Sequence, residues 1–98
     1  MNELLRFTST GTNGVSILLP PKFDFVFYDT KLELYKKGKL VRTVNYDDIK
    51  EITMIKTWQN NVFINCTPIG INIYKIDDET YNKIKEITKK WLTKIFNK

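Results

Sequence analysis

The sequence has no histidine and only one cysteine, Cys66, among its 98 residues. A single cysteine cannot form a disulfide within the chain, and without histidine the sequence offers no Cys/His set for a metal ion. Cys66 lies in the apolar run NVFINCTP, and free cysteine is among the most buried residue types. We therefore predict that Cys66 is a small core side chain and that the protein needs no metal.

Long hydrophobic runs are also missing. No stretch approaches the roughly 18 consecutive apolar residues that a membrane-spanning helix needs. The N-terminal sequence MNELLRFTST lacks the basic start, apolar centre and small-residue cleavage site of a signal peptide. With 42% hydrophobic and 28% charged residues, the composition is that of a folded domain. We expect one cytoplasmic domain that covers residues 1–98.

Alanine is absent, whereas lysine, isoleucine and asparagine are abundant, and the codons of these three residues are rich in A and T. This bias predicts a low-GC genome. The net charge of +5 is typical of proteins that bind nucleic acid or anionic membranes. Because codon usage alone raises the lysine content, only part of this basic charge indicates a function.

Features of an enzyme are scarce as well. The sequence contains no glycine-rich phosphate loop and no serine or cysteine placed beside a base. Asp47 and Asp48 are adjacent carboxylates, but their role in capping the turn before Ile49 accounts for them. We predict a protein that is not an enzyme, with no cofactor and no small-molecule substrate.

What the sequence does contain is the two-residue alternation of β-strands. Phe23, Phe25 and Phe27, for example, fall on one face of KFDFVFYD. The chain starts with a short segment of alternating apolar and polar residues that contains Leu4, Leu5 and Phe7. We predict a loop over TSTGTNG and then a short strand, VSILLPP, which ends at its two prolines. Further strands are predicted at KFDFVFYD, KLELY, Leu40–Tyr46, EITMIKTW, NVFINCT and INIYKI.

The period changes after residue 76 to that of an amphipathic helix. Asp77 or Asp78 is a suitable N-cap, and Glu79 adds negative charge where the helix dipole favours it. The apolar stripe consists of Tyr81, Ile84, Ile87, Trp91, Leu92, Ile95 and Phe96. We predict a mostly β (α+β) fold, in which a bent antiparallel sheet or partly open barrel of about seven strands lies within residues 4–76. One C-terminal helix, over about residues 78–97, plugs its open end.

This pattern resembles the pleckstrin-homology-like superfold, especially its bacterial and archaeal members. The likeness is most specific from Lys31 to Lys98, where a strand ends in KKGK and its return strand runs into VNYDDIKEI. Ile49 and Ile52, three residues apart, then face inward, and two hairpin strands and a capped helix follow. The resemblance implies a binding module, since members bind phosphoinositides, peptides or proteins, or act in assembly.

Head-group binding in the eukaryotic branch uses a Lys-x-n-Lys/Arg-x-Arg pattern at the first hairpin, and the nearest match here is Lys36, Lys37, Lys39 and Arg42. Two residues rather than one precede the arginine, so on a regular strand Lys39 and Arg42 would point to opposite faces. These four residues are the candidate anion-binding site. The alternative is that they only flank a turn whose geometry depends on Gly38.

Trp58, Tyr35 and Tyr74 are the candidate partner-binding residues. Trp58 either lies exposed at a loop tip, where it could anchor a partner, or folds back over the sheet. The leading hypothesis is a domain that binds a protein partner or self-associates. The second is binding of membrane lipid or nucleic acid through the basic hairpin, helped by the helix lysines. The two sets of lysines would converge on one patch if the second hypothesis held.

Overall fold

The computed structural model describes residues 2–14 and 19–97, and side chains up to residue 90. Within this part, the chain forms eight strands and one α-helix. In chain order they are β1 (Glu3–Asn13), β2 (Lys22–Tyr28), β3 (Lys31–Lys36), β4 (Lys39–Asn45), β5 (Ile49–Lys56), β6 (Asn60–Cys66), β7 (Ile71–Ile76), α1 (Asp78–Thr88) and β8 (Leu92–Asn97).

The strands form one sheet in the order β4-β3-β2-β1-β7-β6-β5-β8. Strands β1 to β7 pair antiparallel, and β8 joins the edge of β5 in parallel. The sheet does not close, because β4 and β8 lie at its two ends. The predicted fold class is therefore confirmed: an open, mainly antiparallel sheet with a C-terminal helix.

Strand β1 joins the two halves of the sheet. Its residues from Glu3 to Thr10 pair with β2, and its last residues, Gly11 to Asn13, pair with β7. Gly11 is required at this junction, since a Cβ atom there would lie 2.3 Å from the backbone oxygen of Asn72. The TSTGTNG segment, predicted as a loop, is thus mostly strand, because its β-branched threonines suit a strand that has neighbours on both sides.

The core fills the inner face of the bent sheet. Phe23, Phe25 and Phe27 are buried there, as the alternation predicted, and Phe7 stacks on the last two. Ile49 and Ile52 are buried as well. The predicted core position of Cys66 is confirmed, and burial raises the pKa of its thiol.

Helix α1 begins with the predicted cap, since the carboxylate of Asp77 accepts a hydrogen bond from the Thr80 amide at 2.7 Å. It buries Tyr81 and Ile84. The predicted extent of the helix is wrong, because α1 ends at Thr88 and a 3₁₀ turn at Lys89–Trp91 leads into β8. Sequence LTKIFN is rich in residues that favour strands, and the edge of β5 offers it a ladder of hydrogen bonds.

Two connections complete the fold. Asp47 and Asp48 lie in a 3₁₀ turn, Tyr46–Asp48, that joins β4 to β5, in agreement with the turn predicted before Ile49. The predicted VSILLPP strand is not observed over Leu19 to Pro21, and its other residues lie outside the described part of the chain. Proline at two successive positions removes the amide donors that a ladder needs.

The β3–β4 hairpin has a two-residue turn, Lys37–Gly38, between the paired residues Lys36 and Lys39. Both turn residues have positive φ, 51° at Lys37 and 79° at Gly38. This is the geometry of a type I′ turn, whose twist matches that of the flanking strands. The predicted role of Gly38 is confirmed.

Candidate binding surface

Two neighbouring pockets open on the outer face of the sheet around β1. The first, of about 290 Å³, is formed by β1, β2 and the tip of the β3–β4 hairpin. We call it the lysine pocket. Its lining residues are Thr8, Pro21, Lys22, Asp24, Tyr35, Lys36 and Lys37.

The second pocket, of about 360 Å³, lies on the other side of β1, next to β7 and the β5–β6 turn. We call it the Tyr74 pocket. It is lined by Thr10, Leu19, Pro20, Gln59, Tyr74 and Lys75. The Oε1 atom of Gln59 is buried there and has no hydrogen-bond partner within the described residues.

The two pockets adjoin along a narrow ridge. Thr8 and Thr10 lie two residues apart on the outer face of β1, one in each pocket. The adjacent residues Pro20 and Pro21 are likewise divided between them, and the backbone oxygen of Pro21 accepts a hydrogen bond from Gly11 at 3.1 Å. The prolines therefore form a fixed boundary that both pockets share.

The lysine pocket carries an excess of positive charge. Lys22, Lys36 and Lys37 are exposed and make no ion pair within the described residues, and Asp24 is the single carboxylate in the lining. The Asp24 carboxylate accepts a hydrogen bond from the Thr8 hydroxyl. Three lysines against one aspartate leave the pocket positively charged.

A lysine with a left-handed backbone lines each pocket. Lys37 has φ 51° and Lys75 has φ 55°, and these are the non-glycine residues of positive φ in the described part of the chain. Non-glycine residues in this region cost of the order of 1–2 kcal/mol and persist where surrounding structure enforces them. At Lys75, the backbone N–H donates to the Asn61 side chain at 3.1 Å. The hairpin turn defines the backbone conformation at Lys37, and the hydrogen bond to Asn61 supports that at Lys75.

Trp58 stands at the tip of the β5–β6 turn, beside Gln59 of the Tyr74 pocket. Its exposed fraction is 89%, and that of Leu19 in the pocket lining is 86%. Of the two alternatives for Trp58, the exposed loop tip is correct. A hydrogen bond from the Thr57 amide to the Gln59 backbone oxygen, at 3.2 Å, closes the turn around Trp58.

The other predicted partner-binding residues also reach this surface. Tyr74 lines the pocket named after it, and Tyr35 lines the lysine pocket. The hydroxyl of Tyr35 donates to Glu33 at 2.7 Å, and Lys31 forms an ion pair with the same carboxylate at 3.0 Å. Both contacts lower the pKa of Glu33, and the hydrogen bond to Glu33 raises the pKa of Tyr35. The hydrogen bond to Glu33 therefore fixes the orientation of the Tyr35 ring.

The predicted anion-binding set is only partly brought together. Lys36 and Lys37 lie in the lysine pocket, and Lys39 is exposed opposite Lys36. The expected division of Lys39 and Arg42 between opposite faces is wrong. A register shift lets Arg42 pair with Leu34 and Lys39 with Lys36, two positions on one face of β3.

Arg42 nevertheless lies apart from the lysines because its guanidinium makes other contacts. It donates to the Asn13 side chain at 3.0 Å, to the Thr67 oxygen at 3.3 Å and to the Cys66 sulfur at 3.5 Å. These contacts connect β4 with the ends of β1 and β6. Arg42 is therefore a structural residue in this arrangement.

The helix lysines do not join the hairpin lysines. The described lysines of α1 line neither pocket, and Lys83 pairs with Glu79 at 3.2 Å on the helix surface. Lys89 likewise pairs with Glu86, at 3.4 Å. This separation does not favour one continuous basic patch for nucleic acid or membrane.

Sequence reasoning missed Lys22, Leu19 and Lys75. Lys22 begins a strand directly after two prolines, and that position could have indicated a side chain near a turn. The left-handed backbone of Lys75 has no signal in the sequence, because lysine is a poor predictor of positive φ. Leu19 was predicted within a strand.

No protein-family model matches this sequence, and no curated protein matches it either. Within residues 2–14 and 19–97, no helix is long and apolar enough to cross a membrane. The same residues contain no group of three or more His, Cys, Asp or Glu side chains arranged to hold a metal ion.

Proposed function

We propose that this chain is a non-enzymatic interaction domain that binds a protein partner through the two pockets and Trp58. The observation that carries the proposal is the position of Trp58, a tryptophan with an exposed fraction of 89% beside the Tyr74 pocket. Burying such an aromatic side chain removes about 150–250 Å² from water, and tryptophan is enriched among the residues that dominate binding energy.

The surroundings of Trp58 support a protein as the ligand. Leu19 is almost fully exposed, and Tyr74 offers an aromatic ring with a polar tip. Charged lysines flank this apolar centre, as in the polar rim of a protein interface. We also propose that the fold belongs to the pleckstrin-homology-like superfold, since an open meander of seven antiparallel strands followed by a helix supports the likeness noted in the sequence.

Self-association is a form of the same proposal. Strand β4 is an edge of the sheet, and Leu40 and Val41 on it have exposed fractions of 51% and 43%. An exposed edge can accept another strand. The basic residue Lys39 in this strand opposes such pairing, because charged residues on edges reduce strand addition. A separate partner is therefore the preferred form.

A second candidate function is binding of an anionic ligand, a lipid head group or nucleic acid. Its supporting observation is a group of lysines that form no ion pair with any described residue, namely Lys36, Lys37 and Lys39 of the hairpin and Lys22 of β2. Arg42 is no longer part of this group because of its contacts with Asn13 and Thr67. A site of this kind would lose affinity steeply as salt rises.

Site-specific photo-crosslinking tests the leading proposal. A photoreactive amino acid placed at position 58 of the whole chain, in cells of the native host, should yield a discrete protein adduct. The same amino acid at Lys50, an exposed position on β5 away from both pockets, is the control. Leu4→Ala, a change at another exposed apolar residue, is the matched control for Trp58→Ala in quantitative capture of the adduct partner.

We expect Trp58→Ala to reduce capture at least about tenfold, which corresponds to the loss of roughly 1.4 kcal/mol of binding free energy. Leu4→Ala should leave capture unchanged. Equal crosslinking from positions 58 and 50, or equal capture by both variants, would refute the proposed surface. Sedimentation of the purified protein separates self-association from a separate partner.

A further inference from the structure

We infer that the partner's binding element is an extended peptide segment that places an acidic side chain in the lysine pocket and a large apolar side chain in the Tyr74 pocket. This inference rests on the proposed function and specifies its ligand. The inference is based on the position of two chemically different pockets on either side of Pro20 and Pro21.

Charge complementarity assigns the acidic side chain. Lys22, Lys36 and Lys37 make no ion pair within the described residues, and the lysine pocket gathers them around the Tyr35 ring. Lys36 also faces Lys39 directly across the hairpin, a like-charge pair that is unfavourable in an isolated sheet. A carboxylate in this pocket would relieve that repulsion.

Exposed apolar surface assigns the second side chain. In the Tyr74 pocket, Leu19 has an exposed fraction of 86%, and Pro20 and the Tyr74 ring line the same space. A phenylalanine or leucine side chain from a partner would cover these groups and remove apolar area from water. Trp58 directly precedes the lining residue Gln59, and its exposed ring would pack on the flanking part of the peptide.

The spacing follows from the strand geometry. The lysine pocket is centred over β2, and the Tyr74 pocket lies between β1 and β7, which is about 7 Å further across the sheet. The pockets overlap along β1, because Lys22 of the lysine pocket pairs with Thr10 of the Tyr74 pocket. Their centres are therefore roughly 7–8 Å apart. Two residues of extended strand span about 7 Å, three residues of polyproline II chain span about 9 Å, and both return the side chain to the same side. The geometry therefore favours an acidic and an apolar residue at positions i and i+2 or i+3.

An extended chain also suits the ridge better than a helix. The ridge consists of Pro20 and Pro21, and a helix about 10 Å wide would rest on it without filling either pocket. The type I′ turn at Lys37 and the hydrogen bond from the Lys75 amide to Asn61 shape the backbone beside the two pockets. A disordered segment already populates polyproline II conformations, so the ordering cost falls mainly on the peptide.

Synthetic peptides test the inference on the whole protein. Fluorescein-labelled Gly-Ser peptides would carry one glutamate and one phenylalanine at separations from i+1 to i+5, in both orders, and binding would be followed by fluorescence anisotropy. We expect the i+2 and i+3 peptides to bind at least about fivefold tighter than the i+1 and i+5 peptides, a difference of about 1 kcal/mol. A flat dependence on separation overturns the inference.

Two variants assign each pocket. Lys36→Gln should reduce the preference for glutamate over glutamine in the peptide, and Leu19→Ser should reduce the preference for phenylalanine over alanine. Lys50→Gln and Leu4→Ser, changes of the same types outside the pockets, should leave both preferences intact. Leu19 and Leu4 are exposed, so neither serine variant should fail to fold.

The results also separate this inference from the proposed function. If position 58 crosslinks a partner but the peptides show no dependence on separation, the surface stands and the extended motif is refuted. If the protein binds anionic vesicles or DNA and none of the peptides, the ligand is a lipid or a nucleic acid and the inference is overturned. The inference is supported if the two pocket variants weaken the glutamate and phenylalanine preferences and the two control variants keep both preferences.

Discussion

The guanidinium of Arg42 lies 3.0 Å from the side-chain oxygen of Asn13, which joins strands β4 and β1 although two other strands separate them in the sheet. The same group donates to the Thr67 oxygen at the end of β6. Arg42 thus spans the opening of the sheet that strand pairing leaves unclosed.

Arg42→Gln should therefore destabilise the fold by about 1.5–3 kcal/mol, the usual value of hydrogen bonds to a charged group. Urea unfolding would measure this loss. Lys39→Gln, a charge change on the same strand without these contacts, should change stability by less than about 0.5 kcal/mol. Equal stability losses for the two variants would contradict a bridging role for Arg42.

The hairpin lysines should matter little for folding. Replacing Lys36, Lys37 and Lys39 together by glutamine should change stability by no more than about 0.5 kcal/mol per site, because the turn geometry does not depend on their charge. Binding of the triple variant to anionic vesicles and to DNA, measured at two salt concentrations beside the wild type, tests the anionic-ligand alternative. Tight, salt-sensitive binding that the variant loses would favour that alternative.

Gly38→Val should destabilise the hairpin by about 1–2 kcal/mol, because a β-branched residue resists the positive φ of 79°. A Cβ atom at this position meets no atom within 4 Å, so the loss would come from backbone conformation alone. Gly38→Asn is the matched control, since asparagine tolerates this region, and it should cost clearly less. Thermal unfolding of both variants measures the difference.

Truncation before Asp77 should abolish cooperative unfolding, since it removes both the helix that contributes Tyr81 and Ile84 to the core and the strand that covers the edge of β5. A finer test is Ile84→Ala. Ile84 is fully buried, and the change should cost about 2–4 kcal/mol, whereas Lys85→Ala on the exposed face should cost little. A truncated chain that still melts in one sharp transition would show that the sheet folds without α1 and β8.

Glu33 should make the fold sensitive to acid. Hydrogen bonds from Tyr35 and Lys31 lower its pKa below the ordinary value of 4.5. Since the folded pKa is the lower one, this stabilisation is complete above the ordinary pKa and is lost as the pH falls through the folded value. Glu33→Gln should therefore flatten the loss of stability between about pH 5 and pH 3, compared with the wild type. Glu86→Gln, on the exposed helix face, should leave the slope unchanged.

Much of the fold was predictable because its signals are local. The alternation of Phe23, Phe25 and Phe27, the glycine of the hairpin and the aspartate cap of the helix each determine structure within a few residues. The end of the helix was not predictable in this way. Residues from Leu92 onward suit a helix stripe or a strand, and the free edge of β5, distant in sequence, decides between them.

The candidate site was only partly predictable for a similar reason. Lys36, Lys37, Tyr35, Tyr74 and Trp58 were identified from residue type and position near turns. Their grouping into two adjoining pockets depends on β1, which pairs with β2 from Glu3 to Thr10 and with β7 from Gly11 to Asn13. The contacts of Arg42 depend on a register shift within the β3–β4 pair, which a strand pattern does not reveal.

The pairing of Gly11 to Asn13 with Ile71 to Ile73 joins segments about sixty residues apart in the chain, and this separation governs how the protein can be made. The β2–β3–β4 and β5–β6–β7 meanders need only short loops, so each can form while the ribosome is still translating the next. The junction must wait until β7 has been translated. Until then the last residues of β1, Gly11 to Asn13, have an open hydrogen-bonding edge, which exposes the nascent chain to misassembly.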